Sequence, residues 1–157
     1  VNVLKNSINL TLLKSALAPD MTADRGWQEF THAFYYWNTP FIESRLVQQG
    51  YELNIAPLMI PGRAESRSLF ELDQANIILE TVKPPEGRVP GEMVLRLYEA
   101  MGTRTQTRLK INLNVDHIYQ TDMVEQVQSE LPFDGQGVDL EFAPFKIITL
   151  RLVCGRA

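Results

Sequence analysis

The chain has a single cysteine, Cys154, so no disulfide framework can form within it. Histidine is nearly as scarce: His32 and His117 are the only two, they lie far apart, and neither sits in a spacing that closes a metal site. Cationic charge is in deficit as well. Fifteen Lys plus Arg against nineteen Asp plus Glu give a net charge of −4 with no basic patch, which argues against nucleic acid or an anionic bilayer as partner. Apolar runs stop after a few residues at a charge or a Pro, far short of the ~20 residues a membrane-spanning helix needs, so the chain reads as soluble. There is no Gly-rich phosphate loop and no Gly-x-Ser-x-Gly elbow. The start, Val1-Asn2-Val3-Leu4-Lys5, lacks both an initiator Met and a signal pattern, and reads as a segment excised from something longer.

What is present suits one globular domain. At 157 residues, with 45% hydrophobic against 22% charged residues, the chain can bury roughly two thirds of the surface its unfolded form exposes and is not a disordered tail. Alternation of apolar and polar residues, the mark of a strand with one wet face, is clearest from Thr107 to Leu113, where Leu109, Ile111 and Leu113 share a side. Val138, Leu140 and Phe142 alternate with Asp139 and Glu141, and Ile148, Leu150 and Leu152 with Thr149 and Arg151. Further candidates are Ile8 to Lys14, Trp27 to Trp37, Ala75 to Lys83 and Met93 to Ala100, giving about seven or eight strands at the turn spacing of an antiparallel sandwich. Lys83-Pro84-Pro85-Glu86-Gly87 with Pro90-Gly91, and Met101-Gly102-Thr103, supply turns; Asp134-Gly135-Gln136-Gly137 reads as a hairpin turn. One short helix is expected, capped by Thr39, with Pro40 in its first turn, Gly50 as terminator, and Ile42, Leu46 and Val47 as its buried stripe. Residues 58 to 68 read as a long loop, and no repeat or low-complexity tract is present.

Candidate chemistry is sparse. A lone strand histidine is most simply a hydrogen-bonded surface or half-buried residue, and Cys154 near the last strand's end a small hydrophobe rather than a nucleophile. Glu80, Glu99, Asp139 and Glu141 lie among alternating apolar residues and are expected to point outward into solvent. Asp20 and Asp24 fall instead in the polar connector Ala18-Pro19-Asp20-Met21-Thr22-Ala23-Asp24-Arg25-Gly26, which can present acids, a guanidinium and backbone groups to a ligand. Composition alone favours a capped Asx-type turn there over a ligand loop. Trp27, Phe30, Phe34, Tyr35, Tyr36 and Trp37 place rings on both faces of one extended segment, which reads as a face covered by a neighbouring domain more readily than as a platform for sugar rings.

Several blocks in order resemble the C-terminal β-domain of glycoside hydrolase family 38 α-mannosidases. They are Leu10-Thr11-Leu12-Leu13-Lys14-Ser15, Pro19-Asp20, Ala23-Asp24-Arg25-Gly26 and Glu29-Phe30-Thr31-His32-Ala33-Phe34. Tyr51-Glu52-Leu53-Asn54, Ile78-Leu79-Glu80-Thr81-Val82-Lys83-Pro84, Val94-Leu95-Arg96-Leu97-Tyr98-Glu99 and Pro144-Phe145-Lys146-Ile147-Ile148-Thr149-Leu150-Arg151-Leu152 continue the resemblance over nearly the whole chain, while Trp27 and His32 depart from the family pattern. The resemblance implies an all-β antiparallel sandwich of the galactose mutarotase-like, mannosidase C-terminal type, with residues 1–157 as one domain of a longer, bacterial-type cytoplasmic enzyme. It also implies a retaining, zinc-dependent exo-α-mannosidase acting on terminal α-linked mannose of mannosides or oligomannose. Its zinc and its Asp nucleophile would sit in an N-terminal catalytic barrel domain outside this chain. The barrel is then the chief partner, this piece alone is inactive and binds no metal, and homo-oligomerisation of the parent is compatible. Asp24, Arg25 and Gly26 are implied to reach the rim of the substrate cleft, Arg25 orienting mannose and Asp24 fixing the loop through backbone hydrogen bonds. The opposing class is a non-catalytic carbohydrate-binding or oligomerisation module.

Overall fold

The computed structural model describes residues 1–63 and 65–155, and the chain divides into two compact units, Val1–Tyr36 and Trp37–Ala157. In the first, β1 (Asn2–Leu4) and β2 (Ser7–Asn9) form a small antiparallel hairpin. Of the strands expected at Ile8 to Lys14 and Trp27 to Trp37, only Ile8 and Asn9 enter a ladder, as part of β2; residues 10–14 and 27–36 make none, because no second strand within this unit offers them one. A strand exists only where backbone groups find partners. Almost every side chain of this unit is exposed, Asp24 and Tyr35 being half-buried.

The second unit opens with a 3₁₀ turn, Phe41–Glu43, and then α1 (Leu46–Asn54). The helix therefore starts later than Thr39 and Pro40 suggested. Pro40 does initiate a turn, its carbonyl accepting from Glu43 N–H at 2.9 Å, but the chain extends again at Ser44 before the α-helix forms. Gly50 lies inside the helix rather than ending it; a mid-helix glycine costs about 1 kcal/mol, which a packed helix tolerates. Tyr51 ties α1 to the sheet below, its hydroxyl 3.2 Å from that of Tyr98. Burial, the Tyr51 hydroxyl and the charge of Glu80 push the Tyr98 phenol up to about 12.

Eight strands follow: β3 (Phe70–Leu72), β4 (Ile77–Lys83), β5 (Glu92–Glu99), β6 (Thr105–Ile111), β7 (Val115–Thr121), β8 (Val127–Glu130), β9 (Gly137–Phe142) and β10 (Ile147–Cys154). All pairings are antiparallel, in a five-stranded sheet ordered β4-β5-β10-β7-β8 and a three-stranded sheet ordered β3-β6-β9. The result is the expected β-sandwich. Leu95, Leu97, Leu109, Ile118, Phe142, Leu150 and Leu152 are wholly buried in one core drawn from both sheets, and Leu109 and Ile111 point inward as the alternation required.

Asp134-Gly135-Gln136-Gly137 is a turn but not a hairpin. It leads from β8, in the larger sheet, to β9, in the smaller, so the strands it joins never pair. The outer face of the large sheet is partly sealed by the β7–β8 loop: Arg96 donates to the Met123 carbonyl at 3.2 Å and Glu125 pairs with Lys83. That cover explains why Val94 and Thr149, which alternate with core residues and face the other way, are buried too.

Candidate functional site

The connector 18–26 adopts the turn its composition favoured. Asp20 Oδ1 accepts from the Thr22 N–H and the Thr22 hydroxyl, both at 2.8 Å, and the Arg25 N–H donates to the Thr22 carbonyl at 3.0 Å. These bonds, the backbone one foremost, hold the Asp20 carboxyl below the usual carboxylate range. The loop-fixing acceptor is thus Asp20, not Asp24, and the signal was an Asp followed two residues on by a Thr. Gly26 follows at φ +119, a conformation reserved for glycine, with no atom within 4 Å of a would-be Cβ. Backbone shape rather than crowding selects the glycine. Asp24 is half-buried and Arg25 exposed, and no described residue engages either side chain. A turn fixed by other groups therefore presents a guanidinium with its five donors uncommitted, chemistry suited to the hydroxyls of a sugar or to a carboxylate.

His117 Nδ1 lies 2.7 Å from Glu130 Oε1 on the outside of β7 and β8, its ring stacked on Tyr119, so it is the hydrogen-bonded surface residue expected of a lone strand histidine. His32 is exposed in the first unit. Among the described residues no group of three or more His, Cys, Asp or Glu is arranged to hold a metal ion. Cys154 is half-buried, and burial together with the nearby Asp116 carboxylate raises its thiol, which keeps it protonated. Trp27, Phe34 and Tyr36 stand exposed in the first unit.

Glu80, Asp139 and Glu141 are exposed as expected; Glu99 is not. It is wholly buried at the end of β5, sharing the inward parity of Leu95 and Leu97, and this parity was the overlooked signal. Its carboxylate accepts from Asn76 Nδ2 (2.8 Å), Met101 N–H (2.8 Å), Gly102 N–H (2.7 Å), Thr103 Oγ1 (3.2 Å) and Phe145 N–H (3.0 Å). Burial alone would raise this carboxyl, but the Phe145 N–H, the Asn76 amide and the Met101 and Gly102 N–H groups outweigh it and hold the group down at about 2. A carboxylate so thoroughly satisfied is a structural knot, with no lone pair aimed at solvent for acid or base work.

An open groove of about 580 Å³ runs over β6 and β9, lined by Asp73, Gln106, Thr107, Arg108, Asp139 and Glu141. Its charges are paired: Arg108 bridges Asp134 and Asp139, Arg104 meets Glu141 at 3.0 Å, and Asp73 accepts from the Thr107 hydroxyl at 2.6 Å. Asp73 is depressed by that hydroxyl and by the Arg108 N–H. Asp73 and Asp134, whose carboxyls are lowered, are thus moved away from the raised affinity for a proton that a general acid needs at neutral pH.

Residues 76–150, from the start of β4 into β10, match the family model described as "Glycosyl hydrolases family 38 C-terminal beta sandwich domain". Alpha-mannosidase 2C1 of Homo sapiens is 34% identical over 153 residues, covering 93% of this chain and 15% of that protein. Alpha-mannosidase 2C1 of Mus musculus is 33% identical over 159 residues, covering 97% and 15%. Alpha-mannosidase G of Dictyostelium discoideum is 24% identical over 162 residues, again covering 97% and 15%. The chain thus spans about 15% of the length of these relatives.

Proposed function

From the premise that this chain belongs to glycosyl hydrolase family 38, as its C-terminal β-sandwich domain, we propose that it is one part of a retaining exo-α-mannosidase that removes terminal α-linked mannose. The observation that carries this reading is the coincidence of the matched segment with the folded sandwich, alongside relatives named as α-mannosidases over nearly the whole chain. Retention needs a carboxylate nucleophile and a second carboxyl group facing one sugar about 5–5.5 Å apart. The groove carboxylates Asp134, Asp139 and Glu141 are instead paired with Arg108 and Arg104, and Glu99 is enclosed by its five donors, which supports assigning the bond-breaking pair to polypeptide outside this chain. Zinc, which would polarise sugar hydroxyls, finds no fitting donor set on the described residues.

What this chain contributes is support and one wall of the substrate cleft. The exposed Arg25, held by the Asp20 turn and followed by the positive-φ Gly26, orients the terminal mannose, with the half-buried Asp24 beside it at the cleft rim. A positioning contact of this kind typically changes rate without changing mechanism. In the full-length enzyme Arg25→Ala is expected to lower kcat/KM on an aryl α-mannoside by about tenfold or more, equal to ~1.4 kcal/mol of transition-state stabilisation. Unchanged kcat/KM for both Arg25→Ala and Asp24→Ala removes the loop from the site. Release of free mannose by the purified 157-residue chain alone overturns the assignment of chemistry elsewhere. Among the described residues no helix is long and apolar enough to cross a membrane; separately, we assign the enzyme to the cytoplasm by likeness to its family.

The exposed Trp27, Phe34 and Tyr36 favour a second reading, a carbohydrate-binding module that holds glycans without cleaving them. Calorimetric titration of the chain with mannose separates the two: robust binding by the chain itself supports the module, and silence beside activity of the full enzyme supports the first reading.

A further inference from the structure

The turn joining β9 to β10 carries the wrong residue for its shape. In Ala143-Pro144-Phe145-Lys146 the Lys146 N–H donates to the Ala143 carbonyl at 3.0 Å, Pro144 takes the second position, and Phe145 takes the third with φ +58. A proline followed by a positive φ is the signature of a type II turn, whose third position selects Gly or Asn because a bulky L-residue there is crowded by its own backbone. The surroundings enforce the strained residue. The Phe145 N–H donates to Glu99 Oε2 at 3.0 Å, the Glu99 N–H donates to the Lys146 carbonyl at 3.1 Å, and the ring lies against Gly102, where a Cβ would come within 2.8 Å of its Cζ. Gly102, itself at φ +75, is thus required for both its conformation and the seat it gives the ring.

This seat does not bury the ring. Phe145 remains 70% exposed, beside Ile147 at 48%. Asparagine would relieve the turn and solvate the surface, yet the chain fixes an aromatic side chain in water. A locally unfavourable residue that its neighbours over-determine marks a function rather than a packing need.

We propose that Phe145 is a docking anchor that inserts into an apolar pocket on the part of the same enzyme lying outside this chain. The proposal rests on the reading of the chain as one portion of a longer α-mannosidase. Two observations select this occupant. The relatives are several times longer than this chain, which spans 15% of their length, so a large protein surface of the same molecule is available. A sugar ring, the other natural partner of an exposed aromatic, also needs hydrogen-bonding groups for its hydroxyls, and here Glu99, Asn76 and Thr103 spend theirs on one another. A rigid aromatic knob filling an apolar pocket is the usual high-energy element of a protein interface.

The test uses the full-length enzyme. Hydroxyl-radical footprinting is expected to find Phe145 oxidised several-fold more slowly than its exposure here implies, and Phe145→Asn to lower the unfolding temperature by more than about 2 °C although it relieves the turn. Phe145→Leu, which keeps an apolar anchor, is expected to lose less. Oxidation at the rate of a freely exposed ring overturns the proposal, as does an unfolding temperature for Phe145→Asn equal to or above that of the parent. A sugar platform would show a freely oxidised ring that added mannobiose protects, together with the second result, and so also overturns it. Absence of mannoside hydrolysis by the full-length enzyme would defeat the underlying reading instead, and is read independently of both measurements.

Discussion

Glu99→Ala is expected to destabilise the sandwich by roughly 3–5 kcal/mol, measured by urea unfolding at neutral pH. Five donors from three separate segments converge on this buried carboxylate: Asn76 at the head of β4, the 101–103 turn, and Phe145 in the β9–β10 turn. Alanine would leave the Met101, Gly102 and Phe145 N–H groups without their acceptor, whereas Asn76 keeps Thr103 and Thr105, and each such orphan costs more than the bond it once made contributed. The pH dependence has a definite sign. The folded-state pKa of Glu99 is about 2 against an ordinary 4.5, so its contribution is fully present above 4.5 and is lost as pH falls through about 2. The shift corresponds to about 3 kcal/mol across that window. Asp20, Asp73, Glu125 and Asp134 are also depressed and add to any acid transition, so the informative curve is the difference between the parent and Glu99→Gln. The amide cannot titrate, and its NH₂ faces N–H donors. The variant should therefore be less stable at neutral pH and lose less on acidification. Parallel stability curves for the two proteins below pH 4.5 would show that the carboxylate is not held as described.

Glu99 also shows where reading a sequence by residue type goes astray. Its parity with Leu95 and Leu97 places it inside, but its charge suggested the outside, and only the convergence of donors distant in sequence makes burial affordable. The strands β5, β6, β9 and β10 were legible because each has one continuous dry face, and alternation reports that directly. Strand β7 was not. Register shifts opposite Val153/Cys154 and at Gln120/Thr121 leave Val115, Ile118 and Thr121 as its buried residues, a spacing of three that no period-two search finds. The ring-rich segment Trp27 to Trp37 reads as a strand by residue type, but pairing depends on chain distant in sequence, and none in the first unit supplies it. At the candidate loop the Asx-type turn was legible from Asp20 and Thr22, whose interaction is local, whereas the assignment of Asp24 as loop-fixing acceptor came from resemblance and not from any bond the sequence could specify.

Gly137→Ala is expected to cost about 3 kcal/mol in the same unfolding assay, at the top of the range for overpacking a closed site. Where a glycine has an ordinary conformation, alanine usually stabilises by restricting the unfolded chain, and Gly137 is not among the positive-φ glycines. The sign is reversed by what lies opposite. Gly137 pairs with Lys110 across the β6–β9 ladder, and a Cβ there would stand 2.6 Å from the Leu109 carbonyl oxygen and 3.3 Å from Lys110 Cα. Those are backbone atoms, so no side chain can swing aside; β9 must shift, and with it the wholly buried Phe142 and the nearly buried Val138 of the same strand. The Asp134 turn resists the shift, since Asp134 Oδ1 accepts from Gly137 N–H at 2.9 Å and from Gln136 N–H at 3.0 Å. Gly135, two residues away, is the control. It sits at φ +86 with nothing within 4 Å of a Cβ, so its requirement is conformational. Gly135→Asn, which adopts the left-handed region readily, should be nearly neutral, and Gly135→Ala should cost about 1–2 kcal/mol. Equal losses for Gly135→Asn and Gly137→Ala would mean that the approach of β6 does not exclude a Cβ at position 137.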